Sequence, residues 1–199
     1  MADHLGIEAV GLSLVRLLNL CFSEHPPITA GSRTKAVLMR TEEMDPANRP
    51  NDMTPPMVSL FLYRVDVNRH TRPAWSSVAH QDGQVHLPLD LFYLLTPWAS
   101  NAEFEYRILG QAMTCLERTP ILDGPLLHPT AGWQGNESIQ LSILEISNED
   151  LMRTFDSLPV NYKLSIPYVA RIARLDGRQR PADTPVHHAV FGAAAASES

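Results

Sequence analysis

The chain has 199 residues, of which 44% are hydrophobic and 19% charged, with a net charge of −6. That composition supports one ordinary core and excludes a globally disordered chain. The acidic balance argues against general nucleic-acid binding, which needs a basic face to displace counterions from phosphate.

The first predicted element is a helix over residues 4–22. Ile7, Val10, Leu14, Leu17, Leu18 and Cys21 recur at helical spacing, Asp3 is placed to cap it, and Gly6 and Gly11 weaken it. Glu8 and Arg16 interrupt the apolar run and no basic start precedes it, so it does not read as a secretory signal. No run reaches the ~18 apolar residues a membrane span requires. Synthesis and assembly in the cytoplasm, with no direct membrane insertion, are therefore expected. Cys21 and Cys115 each sit in a helical run among Leu, Ile and Met and read as small buried hydrophobes, with a disulfide or a reactive thiol as the alternatives. That reading points weakly to a reducing compartment. No Cys/His spacing fits a zinc site.

Pro26 and Pro27 end the helix, and "AVLMRT" from residue 36 is a short strand. "EEMDPANRPNDMTPP" is a polar, proline-rich loop. "MVSLFLYRVDV", 57–67, is a strand covered on both sides, with Val58, Leu60 and Leu62 on one face and Phe61, Tyr63 and Val65 on the other. Residues 68–86 form a long loop, with a hairpin at Asp82-Gly83 as one option. "LPLDLFYLLTPW", 87–98, is a sheet-core strand. Leu87, Leu89, Leu91, Tyr93 and Leu95 face one way, and the opposite face turns from polar at Asp90 to apolar at Phe92 and Leu94.

"SNAEFEYRILGQAMTCLERTP" is the clearest helix, with Ser100 and Glu103 as a capping box and Phe104, Ile108, Leu109, Ala112, Met113 and Leu116 as the buried stripe. "ESIQLSILEIS" alternates as a strand. Ser147 caps a short helix with Leu151, Phe155 and Leu158 inward. The last strand is 162–175, where Pro167 implies an edge strand or a bulge. After Asp176 the periodicity stops, and 177–199 reads as a flexible tail following a 1–176 domain. The fold class is α+β: a mixed sheet with helices packed on a face.

Sequence motifs for chemistry are missing. There is no G-x-S-x-G, H-E-x-x-H, P-loop or dinucleotide glycine signature. The eight histidines, His4, His25, His70, His80, His86, His128, His187 and His188, are scattered and read as solvated loop residues. Asp90 lies in an apolar strand, where a general acid is one reading and pairing with an Arg or a backbone amide the other. No catalytic residue, metal site or cofactor is therefore assigned. The arginines form a more suggestive set. Arg69 and Arg72, with Arg64 before them, precede Trp75. Arg171 and Arg174 lie on the last strand. Arg and Trp in exposed segments are what protein interfaces favour. "VHHAVF" is the tail's one strand-like segment, so Val186, Val190 and Phe191 join these five as candidate interface residues.

Taken in order, "VSLFLYRVDVN", "LPLDLFYLLTPW", "EYRILGQAMTCLERTPIL", "IQLSILEISNEDLMRTFDSL" and "YKLSIPYV" resemble the N-terminal domain of the cap proteins of extracellular contractile injection systems, which are phage-tail-like particles. The resemblance spans roughly residues 5–176, with Leu89–Thr96 at the family's central strand and Ile108-Leu109-Gly110 in its helix. It implies a phage tail-terminator-like fold and a structural role: a ring, expected to be hexameric, ending the inner tube and the sheath. The implied partners are copies of itself, the tube protein and the sheath protein, in a particle released from or retained in the cell. An assembly factor that binds tail parts without staying in the particle is the alternative. The resemblance transfers no catalytic residue.

Overall fold

The structure, a computed structural model, describes residues 4–29, 33–75, 86–133, 135 and 137–176. Three helices and six strands follow in the order α1 (Gly6–Glu24), β1 (Lys35–Leu38), β2 (Met57–Val67), β3 (His86–Trp98), α2 (Ala102–Arg118), β4 (Ile121–Asp123), β5 (Ser138–Ile143), α3 (Asn148–Asp156) and β6 (Ile166–Asp176). One six-stranded sheet has the order β1-β2-β3-β6-β5-β4. The β1–β2 pair is parallel and the others are antiparallel, so the sheet is mixed as expected. The three-residue β4 is too short to show periodicity in the sequence.

The alternation in β3 sorts its side chains as the sequence dictates. Leu89, Leu91, Tyr93 and Leu95 join Leu60 of β2, Ile139 and Leu141 of β5 and Tyr168, Ala170 and Ala173 of β6 in one core. Helix α1 supplies Val10, Leu14, Leu17, Leu18 and Phe22, and α2 supplies Ile108, Ala112, Cys115 and Leu116. Each fully buried Leu or Phe stabilises this layer by roughly 1.5–3 kcal/mol relative to exposure. Burial of the Tyr93 ring in it also pushes the phenol well above its ordinary pKa. At Gly11 α1 lies close against the sheet. A Cβ there would lie 3.1 and 3.2 Å from the Leu38 methyls and 3.4 Å from the Tyr93 hydroxyl oxygen. The glycine that weakens the helix thus permits its docking.

Helix α1 is long and apolar enough to cross a membrane by length and composition. The sequence reading rejected that. The structure places half of its 18-residue window inside the protein, as a core helix. Its predicted cap, Asp3, lies outside the described residues. Helix α2 begins one residue later than expected: Asn101, not Ser100, is the cap, and its Oδ1 accepts the Phe104 amide at 2.9 Å. Ser147 does cap α3, accepting the Asp150 amide.

Two further expectations are corrected. A bulge at Tyr63 shifts the register of β2 between Leu62 and Arg64, so Val65 falls opposite Leu91 on the helix side of the sheet rather than beside Phe61. Strand β6 is interior, between β3 and β5, and not an edge. Its irregularity lies at Arg171–Ala173, not at Pro167. The proline is tolerated because β5 pairs with β6 only as far as Tyr168, while the Pro167 carbonyl still accepts the Leu144 amide at 2.9 Å. The missing N–H points past the end of β5 and leaves the β3 ladder whole.

The opposite face of the sheet is closed at one end by a second, smaller core of Met39, Met44, Met57 and Trp98, with Phe61, Leu158 and Val160 against it. The Trp98 indole N–H donates to Ser59 Oγ at 2.8 Å, and Thr96 Oγ1 meets Ser165 Oγ at 2.7 Å. Arg49 and Lys163 both lie over the Trp98 ring, at 4.3 and 4.5 Å from its centroid. The proline-rich stretch after β1 folds into two short 3₁₀ turns, Glu42–Met44 and Pro46–Asn48, and carries Met44 into this core.

Candidate interaction surface

The other end of that face is polar, and its centre is Asp90. Register places Asp66, Asp90, Arg171 and Gln140 side by side across β2, β3, β6 and β5. Two carboxylates directly opposite each other repel. Each is answered: Arg64 Nε lies 3.1 Å from Asp66, and Arg171 Nε lies 3.9 Å from Asp90. Asn68 donates to both Asp90 oxygens, at 3.1 and 3.2 Å. Asp90 is thus paired with an arginine and a side-chain amide, one of its two expected states. Arg64 also lies 3.9 Å over the Phe92 ring.

Asn68 does a second job. Its Oδ1 accepts the backbone N–H groups of His70 and Thr71, an Asx-type turn, and its own N–H donates to the Pro88 carbonyl. The turn carrying Arg69 and Arg72, both exposed, is therefore pinned beside Asp90. Arg171 reaches Asp90 from the opposite strand. The turn that carries Arg69 and Arg72 is anchored to Asp90 through Asn68, and Arg171, about a hundred residues later in the chain, pairs with the same carboxylate. The sequence reading missed the residue that joins them. An Asn directly after a strand is the signal that could have found it.

The remaining candidates are placed only in part. Trp75 closes the 3₁₀ turn Arg72–Trp75, and Arg174 pairs with Pro88 in the β3–β6 ladder. Val186, Val190 and Phe191, the whole 177–199 tail and the Asp82-Gly83 hairpin lie outside the described residues. His86, expected in a solvated loop, is instead buried at the start of β3.

The two sheet edges differ. In the parallel β1–β2 ladder, Lys35 and Met39 donate to β2, so the Ala36 amide and carbonyl point away from it. Asn19 of α1 takes both: its Nδ2 donates to the Ala36 carbonyl at 3.0 Å, and its Oδ1 accepts the Ala36 amide at 2.9 Å. A side-chain amide stands where a further strand would pair, and this edge is shut. At the other edge, Pro120 and Leu122 face β5, which leaves the backbone of Ile121 and Asp123 on the open side and the Ile121 side chain exposed. Among the described residues no group of three His, Cys, Asp or Glu side chains is placed to hold a metal ion.

Cys21 and Cys115 are not separate buried thiols. They form a disulfide between α1 and α2, with Cα atoms 6.3 Å apart. Nothing in two helical cysteines 94 residues apart reveals which face of each helix meets the other. The weak inference of a reducing compartment falls with the free thiols.

A mixed six-stranded sheet with α1 and α2 packed on one face and a charged row on the other defines an α+β domain. The profile of the Pvc16 N-terminal domain matches residues 9–188, and the chain belongs to that family. Two solved structures share the fold. One is the sheath/tube terminator, in the extended state, of PVC, an extracellular contractile injection system. It has 15% identity and a TM-score of 0.50 over 94% of this chain and 65% of that one. The other is the tube-terminating cap of the anti-feeding prophage, with 14% identity and a TM-score of 0.56 over 92% of this chain and 60% of that one. The chain thus spans less than two thirds of either neighbour's length. No curated protein matches it.

Proposed function

We propose that the protein is a structural cap, a tail terminator that ends the inner tube and sheath of a contractile phage-tail-like particle. One observation carries this: within its family, nearly the whole chain shares its fold with one sheath/tube terminator and one tube-terminating cap. The role needs no catalytic group. It needs a stiff domain that presents fixed surfaces, and a core closed on one side by α1 and α2 and on the other by the Trp98 cluster supplies one.

On this reading six copies form a ring through heterologous contacts that close. Residues 1–176 are the terminator domain. The Asp90-centred surface, with Arg69, Arg72 and Arg171, faces a neighbouring subunit or the layer below. The partners are the chain itself, the tube protein and the sheath protein, and assembly begins in the cytoplasm. Cryo-electron microscopy of purified particles tests the proposal: density for this chain is expected on the last tube layer, away from the baseplate. Deletion is expected to give tubes of uncontrolled length or unstable sheaths. Normal particles without the protein would overturn the reading. Particles that need the protein for assembly but do not contain it would show an assembly factor instead.

A further inference from the structure

We propose that the Cys21–Cys115 disulfide is a reversible redox staple, exchanged by low-molecular-weight thiols without unfolding of the domain. The timing of its closure rests on the function proposed above; the exchange itself does not. Both cysteines line an open cleft of about 220 Å³ between the C-terminal ends of α1 and α2, together with Leu20, Glu24, His25 and Arg118. Cys115 belongs to the core and Cys21 packs against it, and the cleft gives the bond an approach from solvent. Cys21 is half-buried and Cys115 is buried at 3% exposure, so Cys21 is the more accessible partner and the one assigned as the site of attack.

The surroundings suit the step. A thiolate RS⁻ attacks Cys21 Sγ, a mixed disulfide Cys21–S–S–R forms, the Cys21–Cys115 bond breaks, and Cys115 leaves as a thiolate. Gln111 Nε2 lies 3.7 Å from Cys115 Sγ and 3.5 Å from Cys21 Sγ, a donor placed for either sulfur. Arg118, one turn beyond Cys115 on α2, lines the same cleft and offsets the charge of Glu24 there. A second thiol then releases Cys21 and carries away R–S–S–R. The sum is one protein disulfide and two RSH giving two protein thiols and one RSSR. The reverse reaction, with RSSR as the oxidant, closes the staple.

The staple joins the two helices that pack on the same sheet face, so closing it fixes their relative position. In a reducing cytoplasm the chain carries two thiols, and outside the cell the bond closes. The cap would then be adaptable while it is fitted and rigid once the particle is released.

Exchange is tested on the full folded chain in reduced and oxidised glutathione mixtures, quenched with N-ethylmaleimide and read by mass. Two added maleimides are expected in reducing mixtures without denaturant. If opening required global unfolding, the rate would fall below that in denaturant by roughly a thousandfold or more. The expected rate lies well inside that bound, and a slowing of that size overturns the proposal. The timing is tested by quenching producing cells and released particles with the same reagent. Thiols are expected in the cells and the disulfide in the particles. Thiols in released particles would overturn the staple. Absence of the chain from particles would overturn the capping function and the timing, while the exchange measurement would still decide whether the site is reversible.

Discussion

Replacing Asn19 by Ala removes the group that shuts the β1 edge. The side chain makes two hydrogen bonds to one residue, at 3.0 and 2.9 Å, both part-buried. Each is worth about 1 kcal/mol net, and the amide and carbonyl left behind lose their partner near a core strand. The expected loss is ~1–3 kcal/mol, offset slightly because Ala favours the helix more than Asn does. For a domain of this size each kcal/mol lowers Tm by roughly 2–4 °C, so a fall of about 2–12 °C is expected. Calorimetry reads the total, and amide hydrogen exchange reads the cause: Ala36 should lose protection while Leu91 and Tyr93 in the central strand keep theirs. If Ala36 kept its protection in the variant, the edge would not depend on Asn19 and the reasoning would fail.

Three further outcomes are expected. Ser59→Ala orphans the Trp98 indole N–H and should cost ~1–3 kcal/mol, seen by denaturant melts and a shift in Trp fluorescence. A Cys21→Ser/Cys115→Ser double variant releases a loop whose ends lie 94 residues apart. Chain entropy puts the upper bound of that loss at about 4.7 kcal/mol, measurable as a lowered guanidinium midpoint against the oxidised wild type. Glu43 accepts the Arg40 amide at 2.9 Å, and that backbone bond first, then the Arg40 guanidinium, holds its carboxyl below the usual range against the opposing effect of burial. A carboxyl lowered in the folded state adds stability above its unfolded pKa, near about 4.3, and loses it as pH falls through the folded value. Glu43→Gln should therefore flatten the acid limb of a stability–pH profile; an unchanged limb would count against the assignment.

Pattern was legible wherever burial alone decides it. The β3 alternation, the α2 stripe and the Ser147 cap could be read directly, because each depends on side-chain period or on a neighbour three residues away. Pro167 misled because proline reports only its missing N–H. Whether that matters depends on where β5 stops, 24 residues earlier in the chain. Val65 was assigned to the wrong face because a bulge resets the period of a strand and leaves no mark in composition. The arginines were found by type, but the place of Arg171 beside Asn68 and Asp90 was not, since those three come together only through register.

From the residues alone came one α+β domain, its apolar central strand, its main helices and, by ordered segments, its family. Those features rest on local spacing and on the hydrophobic sorting that spacing imposes. The tertiary structure alone decided the interior place of β6, the Asn19 block on one edge, the row around Asp90 and the bond between Cys21 and Cys115. Each of these joins groups distant in sequence, and such contacts exist only once the sheet has set its strand order and the helices have docked on it.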